Sequence, residues 1–167
     1  SFHKTLAQLF NTKPENISFS PCVSQALSLI ANGYNFEEGD EVISYVSEYP
    51  SNHYPWKMQE KRGVSLKLLS DHYPLGKLGD DMPQAWDISE LESLITDKTR
   101  IVALSHVQFC SGFTADLKKL GDLCKKKGVD LVIDAAQSLG CLKLYPEDYN
   151  ISAVVASGWK WLMGPVG

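Results

Sequence analysis

The sequence predicts an α/β protein: a mostly parallel sheet covered by helices on both faces, three layers thick. Three observations carry that expectation. Apolar strand-like runs alternate with helix-like stretches along most of the chain, the order that builds parallel sheets. The runs TRIVALSHV (99–107) and DLVID (130–134) are almost wholly apolar inside, as strands covered on both sides are. Glycines punctuate the pattern at Gly33, Gly63 and Gly128, where helices are expected to close.

Taken in order, residues 2–11 carry Phe2, Leu6, Leu9 and Phe10 at helical spacing, a short amphipathic helix. Ile17-Ser18-Phe19-Ser20 reads as a short strand. Pro21-Cys22-Val23 turns the chain, and Ser24 is the expected N-cap of a helix through about Ala31. Residues 41–45 form the next strand. The loop SEYPSNHYPW (47–56) leads into a helix ending near Lys61, with Gly63 as its cap, and 64–69 forms a strand with one covered face. Residues 70–85 are rich in Gly, Pro and Asp and read as a surface insertion. A helix follows over 87–95, then the strand 99–107. The helix 117–127 turns Leu117, Leu120 and Cys124 inward and places lysines in its last turn, where they suit the helix dipole. Strands at 131–134 and 153–156 complete the set.

With 167 residues, 44% hydrophobic and 22% charged, the chain fits one globular domain. A formal net charge of −4 gives no general pull toward nucleic acid or anionic membrane. No apolar run approaches the roughly 20 residues of a membrane helix, and SFHKTLAQLF does not read as a secretion signal. Cys22, Cys110, Cys124 and Cys141 show no CxxC and read as reduced thiols of a cytoplasmic protein. The sequence opens inside a helix and stops at Gly-Pro-Val-Gly, just after its most informative motif. A fragment of a longer protein is the expectation.

Chemistry concentrates in two strand ends. The strand 131–134 closes on Asp134, and the strand 153–156 leads into Trp159-Lys160-Trp161. Ligands of parallel α/β sheets sit at the carboxyl ends of strands, so an acid and a lysine are brought to one rim. Pyridoxal phosphate needs both: a lysine for its aldehyde and an acid against its pyridine nitrogen. Lys160 is flanked by two tryptophans and Leu162, an apolar setting that favours a neutral, nucleophilic amine; a lysine stem lying along apolar surface is the plainer alternative. For Asp134 the alternative is capping the next turn. Gln137 is placed to donate to a cofactor oxygen or to satisfy a tight turn. Ser24 opens a helix, a natural phosphate seat and also a common cap with no ligand. Ser157-Gly158 offers further small donors. Tyr49 offers a planar ring for stacking or for loop packing. His106, alone at a strand end, reads more readily as a hydrogen-bonded core residue than as a catalyst. Nothing in the spacing suggests a metal site.

Together these residues resemble the class V aminotransferase family of fold-type I pyridoxal-phosphate enzymes, which includes cysteine desulfurases, selenocysteine lyases and isopenicillin-N-epimerase-like proteins. The resemblance runs from about Ile17 to Gly167 and is strongest in VIDAAQSLG (132–140), SGWKWLMGPVG (157–167) and the twenty-six-residue step from Asp134 to Lys160. It implies that Lys160 holds the cofactor as a Schiff base and shuttles the substrate α-proton. It implies Asp134 at the pyridine nitrogen, Gln137 at the phenolic oxygen, Tyr49 stacked on the ring, and Ser24, the Val23 backbone, Ser157 and Trp159 on the phosphate side. Gln108 is a further candidate for the cofactor oxygen, since Phe109 stands where many members carry an asparagine. Tyr49 stands where desulfurases and selenocysteine lyases usually carry a histidine, and Pro21 and Cys22 replace the usual small residues.

The resemblance also implies that residues 1–167 are a cofactor-binding large domain lacking a C-terminal small domain and one antiparallel strand. That strand would lie between the strand near 154 and the one near 18. Alone, such a piece is expected to be unstable or inactive. The complete protein is expected to act on an amino acid, as a transferase or lyase, and to be a homodimer. A C–S lyase of the desulfurase type and a non-catalytic relative are the alternatives. A nucleotide-binding domain is disfavoured, because FSPCVSQAL has neither GxGxxG nor a Walker lysine.

Overall fold

The computed structural model describes residues 2–71 and 85–165. Its centre is a five-stranded sheet of β1 (Glu41–Tyr45), β2 (Ser65–Leu69), β3 (Thr99–Ser105), β4 (Asp130–Asp134) and β5 (Ala153–Val155), in the order β2-β1-β3-β4-β5. Every pairing is parallel. The carboxyl ends of all five strands therefore lie along one edge.

Alternation along the strands divides the apolar side chains between two cores. On one face Val42, Ile101, Ala103, Val132 and Val155 pack with Leu27 and Ala31 of α2 (Val23–Gly33) and with Trp56 of the single helical turn α3 (Tyr54–Lys57). On the other, Ile43, Val102, Leu104, Leu131 and Ile133 pack with Leu91 of α4 (Ile88–Leu94) and with Leu117, Leu120 and Cys124 of α5 (Leu117–Lys127). A fully buried leucine stabilises the fold by about 1.5–3 kcal/mol, and the central β3 lies between both layers.

Caps set the helix bounds. The Asp87 carboxylate accepts the Ser89 N–H at the start of α4, and Asp116 accepts the Lys119 N–H at the start of α5. Gly63 and Gly128 adopt left-handed backbone after the segments they close. α5 lies close enough to the turn at Tyr149 for the backbones to touch: a Cβ on Gly121 would stand 1.7 Å from the Tyr149 carbonyl oxygen.

The structure departs from the sequence reading in four places. Residues 17–20 are extended but pair with no described strand, and Phe19 stacks on Phe2 with ring centroids 5.3 Å apart. An apolar tetrapeptide looks like a strand, but a strand exists only where a neighbour supplies ladder partners. In the first helix, here α1 (Phe2–Phe10), Ala7 is buried while Phe2 and Leu9 are exposed. The helix expected between the 47–56 loop and Gly63 is instead one α-helical turn at 54–57 followed by a 3-10 segment at 58–62, and the loop itself holds a further short turn at 50–52; Pro50 and Pro55 open their turns, where a missing N–H costs nothing. α2 begins at Val23, directly after the N-cap Cys22, and runs through Gly33, so Ser24 lies inside the first turn of the helix and is not its cap. The expected surface insertion at 70–85 falls mostly on 72–84, outside the described residues. Among the described residues no helix is long and apolar enough to cross a membrane.

Candidate functional site

A cavity of about 320 Å³ opens where the carboxyl ends of β3 and β4, the turn after β5 and the amino end of α2 converge. The fold brings Val23, Ser24, Tyr49, Asp134, Gln137, Ser157, Trp159 and Lys160 into its wall.

Asp134 is the last residue of β4. It follows Val132 by two positions, so its side chain leaves the sheet on the α2 side. It is 5% exposed, and its Oδ1 accepts the Ala136 N–H at 2.9 Å. Burial pushes its carboxyl up to about 6; nearby Glu48 acts the same way, while the Ala136 N–H and Lys160 oppose them. A buried acid of this kind favours a cationic or protonated partner.

Lys160 sits in a turn closed by Met163 N–H to Lys160 O at 2.9 Å and by Gly164 N–H to Gly158 O at 2.8 Å. Its Nζ lies 6.0 Å from the Tyr49 ring centroid and 5.4 Å from that of Trp159. Trp159 and Trp161 are about half exposed, so the ammonium lies against aromatic faces and is not enclosed by them. Gly140, with φ +97°, backs directly onto the Trp161 carbonyl. That close approach positions the lysine turn against the Gln137–Gly140 turn.

Tyr49 is half exposed and meets Phe109 edge-to-face, with centroids 5.1 Å apart. At the opposite end, Ser24 Oγ and Ser51 Oγ lie 2.7 Å apart beside the first turn of α2. Free N–H groups at a helix start favour an anion. The Ser157 hydroxyl, on the same wall, is buried with no hydrogen-bond partner among the described residues.

Gln108 is not brought into the wall. It is 2% exposed and donates through Nε2 to Glu48 Oε1 at 2.8 Å, while Val107 and Phe109 on either side line the cavity. His106 points to the opposite face, where its Nδ1 meets Ser138 Oγ at 2.9 Å and burial lowers its imidazole to about 4. The sequence reading missed Glu48, Ser51 and Ser105. Glu48 precedes Tyr49 and looks like an ordinary loop acid until its burial is known. The two serines carry no local signal. The four cysteines are free, and Cys22 reaches the cavity rim. Among the described residues no cluster of His, Cys, Asp and Glu could hold a metal ion.

The model of the aminotransferase class-V family matches residues 1–167. The chain belongs to the class V aminotransferase family. Within it, the chain is 30% identical over 167 residues to a probable cysteine desulfurase of Pyrococcus abyssi, covering 98% of this chain and 39% of that protein. It is 31% identical over 157 residues to a probable cysteine desulfurase of Halalkalibacterium halodurans, covering 92% and 36% respectively. The apo structure of a cysteine desulfurase from Thermococcus onnurineus superposes with a TM-score of 0.86 at 30% identity, covering 99% of this chain and 40% of that one. The chain thus spans about two-fifths of the length of these relatives.

Proposed function

We propose that residues 1–167 form the cofactor-binding large domain of a pyridoxal-phosphate-dependent enzyme of the class V aminotransferase type, acting on an amino acid. The single observation that carries the reading is a buried acid and a lysine on the wall of one cavity, with Asp134 pushed up to about 6. The donor set fits the group. One end offers the start of α2, two paired hydroxyls and the partnerless Ser157 hydroxyl for a phosphate. The other offers a buried carboxylate for a protonated ring nitrogen.

When bound, pyridoxal phosphate supplies an aldehyde carbon and a pyridinium ring that accepts electron density from the substrate. Lys160 would supply the amine for that aldehyde and the base for the proton at the substrate α-carbon. Asp134 would be the acid facing the ring nitrogen. A carboxylate that is costly to bury alone gains most from a cation in contact. Tyr49 would offer its ring for stacking and Gln137 its amide for the phenolic oxygen, both from the cavity wall. The N–H groups of Val23 and Ser24, the Ser24 hydroxyl, Ser157 and Trp159 hold the phosphate. Gln108 lies behind the wall, where its amide donates to Glu48.

A second reading is favoured by the two relatives described as probable cysteine desulfurases: a C–S lyase. Tyr49 weighs against it, because a phenol stacks well but is a poor base near neutral pH. The complete protein is further proposed to be a cytoplasmic homodimer, tested by sedimentation and cell fractionation. The deciding experiment is absorbance of the full-length protein with pyridoxal phosphate. A protein-bound band near the visible edge is expected, and Lys160→Ala abolishes it. A full-length protein that gains no band, or an alanine variant that keeps it, refutes the proposal.

A further inference from the structure

Glu48 is a buried acid that the roles above leave unused. It is 7% exposed, and its three hydrogen-bond partners are all neutral. Oε1 accepts the Ser105 N–H at 2.7 Å and the Gln108 Nε2–H at 2.8 Å, and Oε2 accepts the Ser105 hydroxyl at 2.5 Å. These contacts join three segments. Glu48 immediately precedes Tyr49, Ser105 ends β3, and Gln108 immediately precedes Phe109. Tyr49 and Phe109, which meet edge-to-face, therefore hang from the same carboxylate. Ser105 is also the register partner of Asp134, so the two acids stand at the ends of adjacent strand positions.

We propose that Glu48 is a positioning residue of the site, tying the Tyr49 and Phe109 loops to the end of β3 and setting the charge that Asp134 experiences. The geometry supports both halves. Two loops of different origin share one buried acceptor, and hydrogen bonds to a charged acceptor are stronger than neutral ones. The charged groups acting on Asp134 are Glu48, which favours its protonated form, and Lys160, which opposes this. His106 touches it only through a backbone N–H to the Asp134 carbonyl at 2.9 Å, and its own side chain faces Ser138. A carboxylate placed there makes Asp134 hold a proton, and hence a protonated partner, more readily at a given pH.

The proposal rests on the cofactor reading only for what Tyr49 and Asp134 face, and the test separates the two. Glu48→Gln keeps the hydrogen bonds: its Oε1 accepts from Ser105 N–H and Gln108, and its new amide donates to the Ser105 hydroxyl. It removes only the charge. Glu48→Ala removes both charge and tether. In the full-length protein without cofactor, the Asp134 carboxyl is titrated by isotope-edited infrared spectroscopy in the wild type and in Glu48→Gln. The midpoint is expected to move to lower pH in the variant. With pyridoxal phosphate, Glu48→Ala is expected to weaken binding by about tenfold or more, the loss of hydrogen bonds to a charged group, and Glu48→Gln, which loses the charge and keeps the tether, to weaken it less. An unmoved Asp134 midpoint in Glu48→Gln overturns the proposal, and so does equal weakening of cofactor binding by the two variants. If Glu48→Ala does not fold, the Glu48→Gln midpoint alone decides. A midpoint that moves in a protein whose wild type binds no cofactor sinks the cofactor reading and leaves the coupling of the two acids standing.

Discussion

Gly140→Ala is expected to injure the site through the backbone alone. Gly140 has φ +97°, and a Cβ there would stand 2.9 Å from both the carbonyl carbon and the oxygen of Trp161 and 3.1 Å from Leu162 Cδ2. Two costs follow. Left-handed backbone costs a residue with a Cβ about 1–2 kcal/mol, and crowding a packed contact costs about 1–3 kcal/mol. Reduced freedom of the unfolded chain returns about 0.4–1 kcal/mol. The net loss is about 1–5 kcal/mol if the turn holds. If it yields, Trp161 moves, and Lys160 moves with it. Gly39→Ala is the matched control, since Gly39 has φ +89° and nothing within 4 Å of its Cβ position. Urea unfolding of both variants in the full-length protein separates backbone strain from collision, and pyridoxal-phosphate affinity reports the lysine. Gly140→Ala is expected to lose more stability than Gly39→Ala and to bind cofactor more weakly than the wild type. If it matches Gly39→Ala in stability and the wild type in affinity, the idea that Gly140 braces the lysine turn is refuted.

Gly121→Ala gains about 1 kcal/mol of helix propensity yet is expected to be destabilised by about 3 kcal/mol or more, because its Cβ would overlap the Tyr149 carbonyl; urea midpoints check this. His106 titrates at about 4 when folded against 6.5 ordinarily, so the unfolded chain binds more protons in that window. Its contribution, at most about 3 kcal/mol, is present above pH 6.5 and lost as pH falls toward 4. Asp134 has the opposite sign: raised from 3.8 to about 6, it favours folding below pH 3.8 and loses that contribution as pH rises through 6. The two slopes oppose each other in the cofactor-free protein. Asp134→Asn is therefore expected to steepen the loss of stability on acidification, and His106→Gln to lessen it, measured by urea midpoints from pH 4 to 7; parallel curves for all three proteins contradict both assignments.

The sheet was legible because its inner strands β1, β3 and β4 carry runs of buried apolar residues between turn signals, and the two-faced burial of β3 follows directly from TRIVALS. Asp134 and Lys160 were legible for a related reason: a strand end is a place in space as well as in sequence. What could not be read were contacts between loops. Glu48 and Ser105 are fifty-seven positions apart, and neither residue type signals burial. Ser51 meets Ser24 across twenty-seven positions and has no local reason to be at an anion seat. Residues 17–20 misled in the opposite direction, because four extended residues satisfy a strand pattern whether or not a neighbour exists. The position of Gln108 was missed because a one-residue change along an extended loop carries a side chain from the wall to the space behind it.

The site's charged groups are few, and that constrains the chemistry more than its shape does. The acidic and basic side chains on the cavity wall, among the described residues, are Asp134 and Lys160, and no histidine joins them. Asp134 is buried at the end of β4, committed to whatever lies against it. Lys160 is the group held beside two aromatic faces, its Nζ 6.0 Å from the Tyr49 ring centroid and 5.4 Å from that of Trp159. Among the described residues, Lys160 is thus the basic side chain on the cavity wall. A reaction that removes and returns one proton at one carbon suits this arrangement.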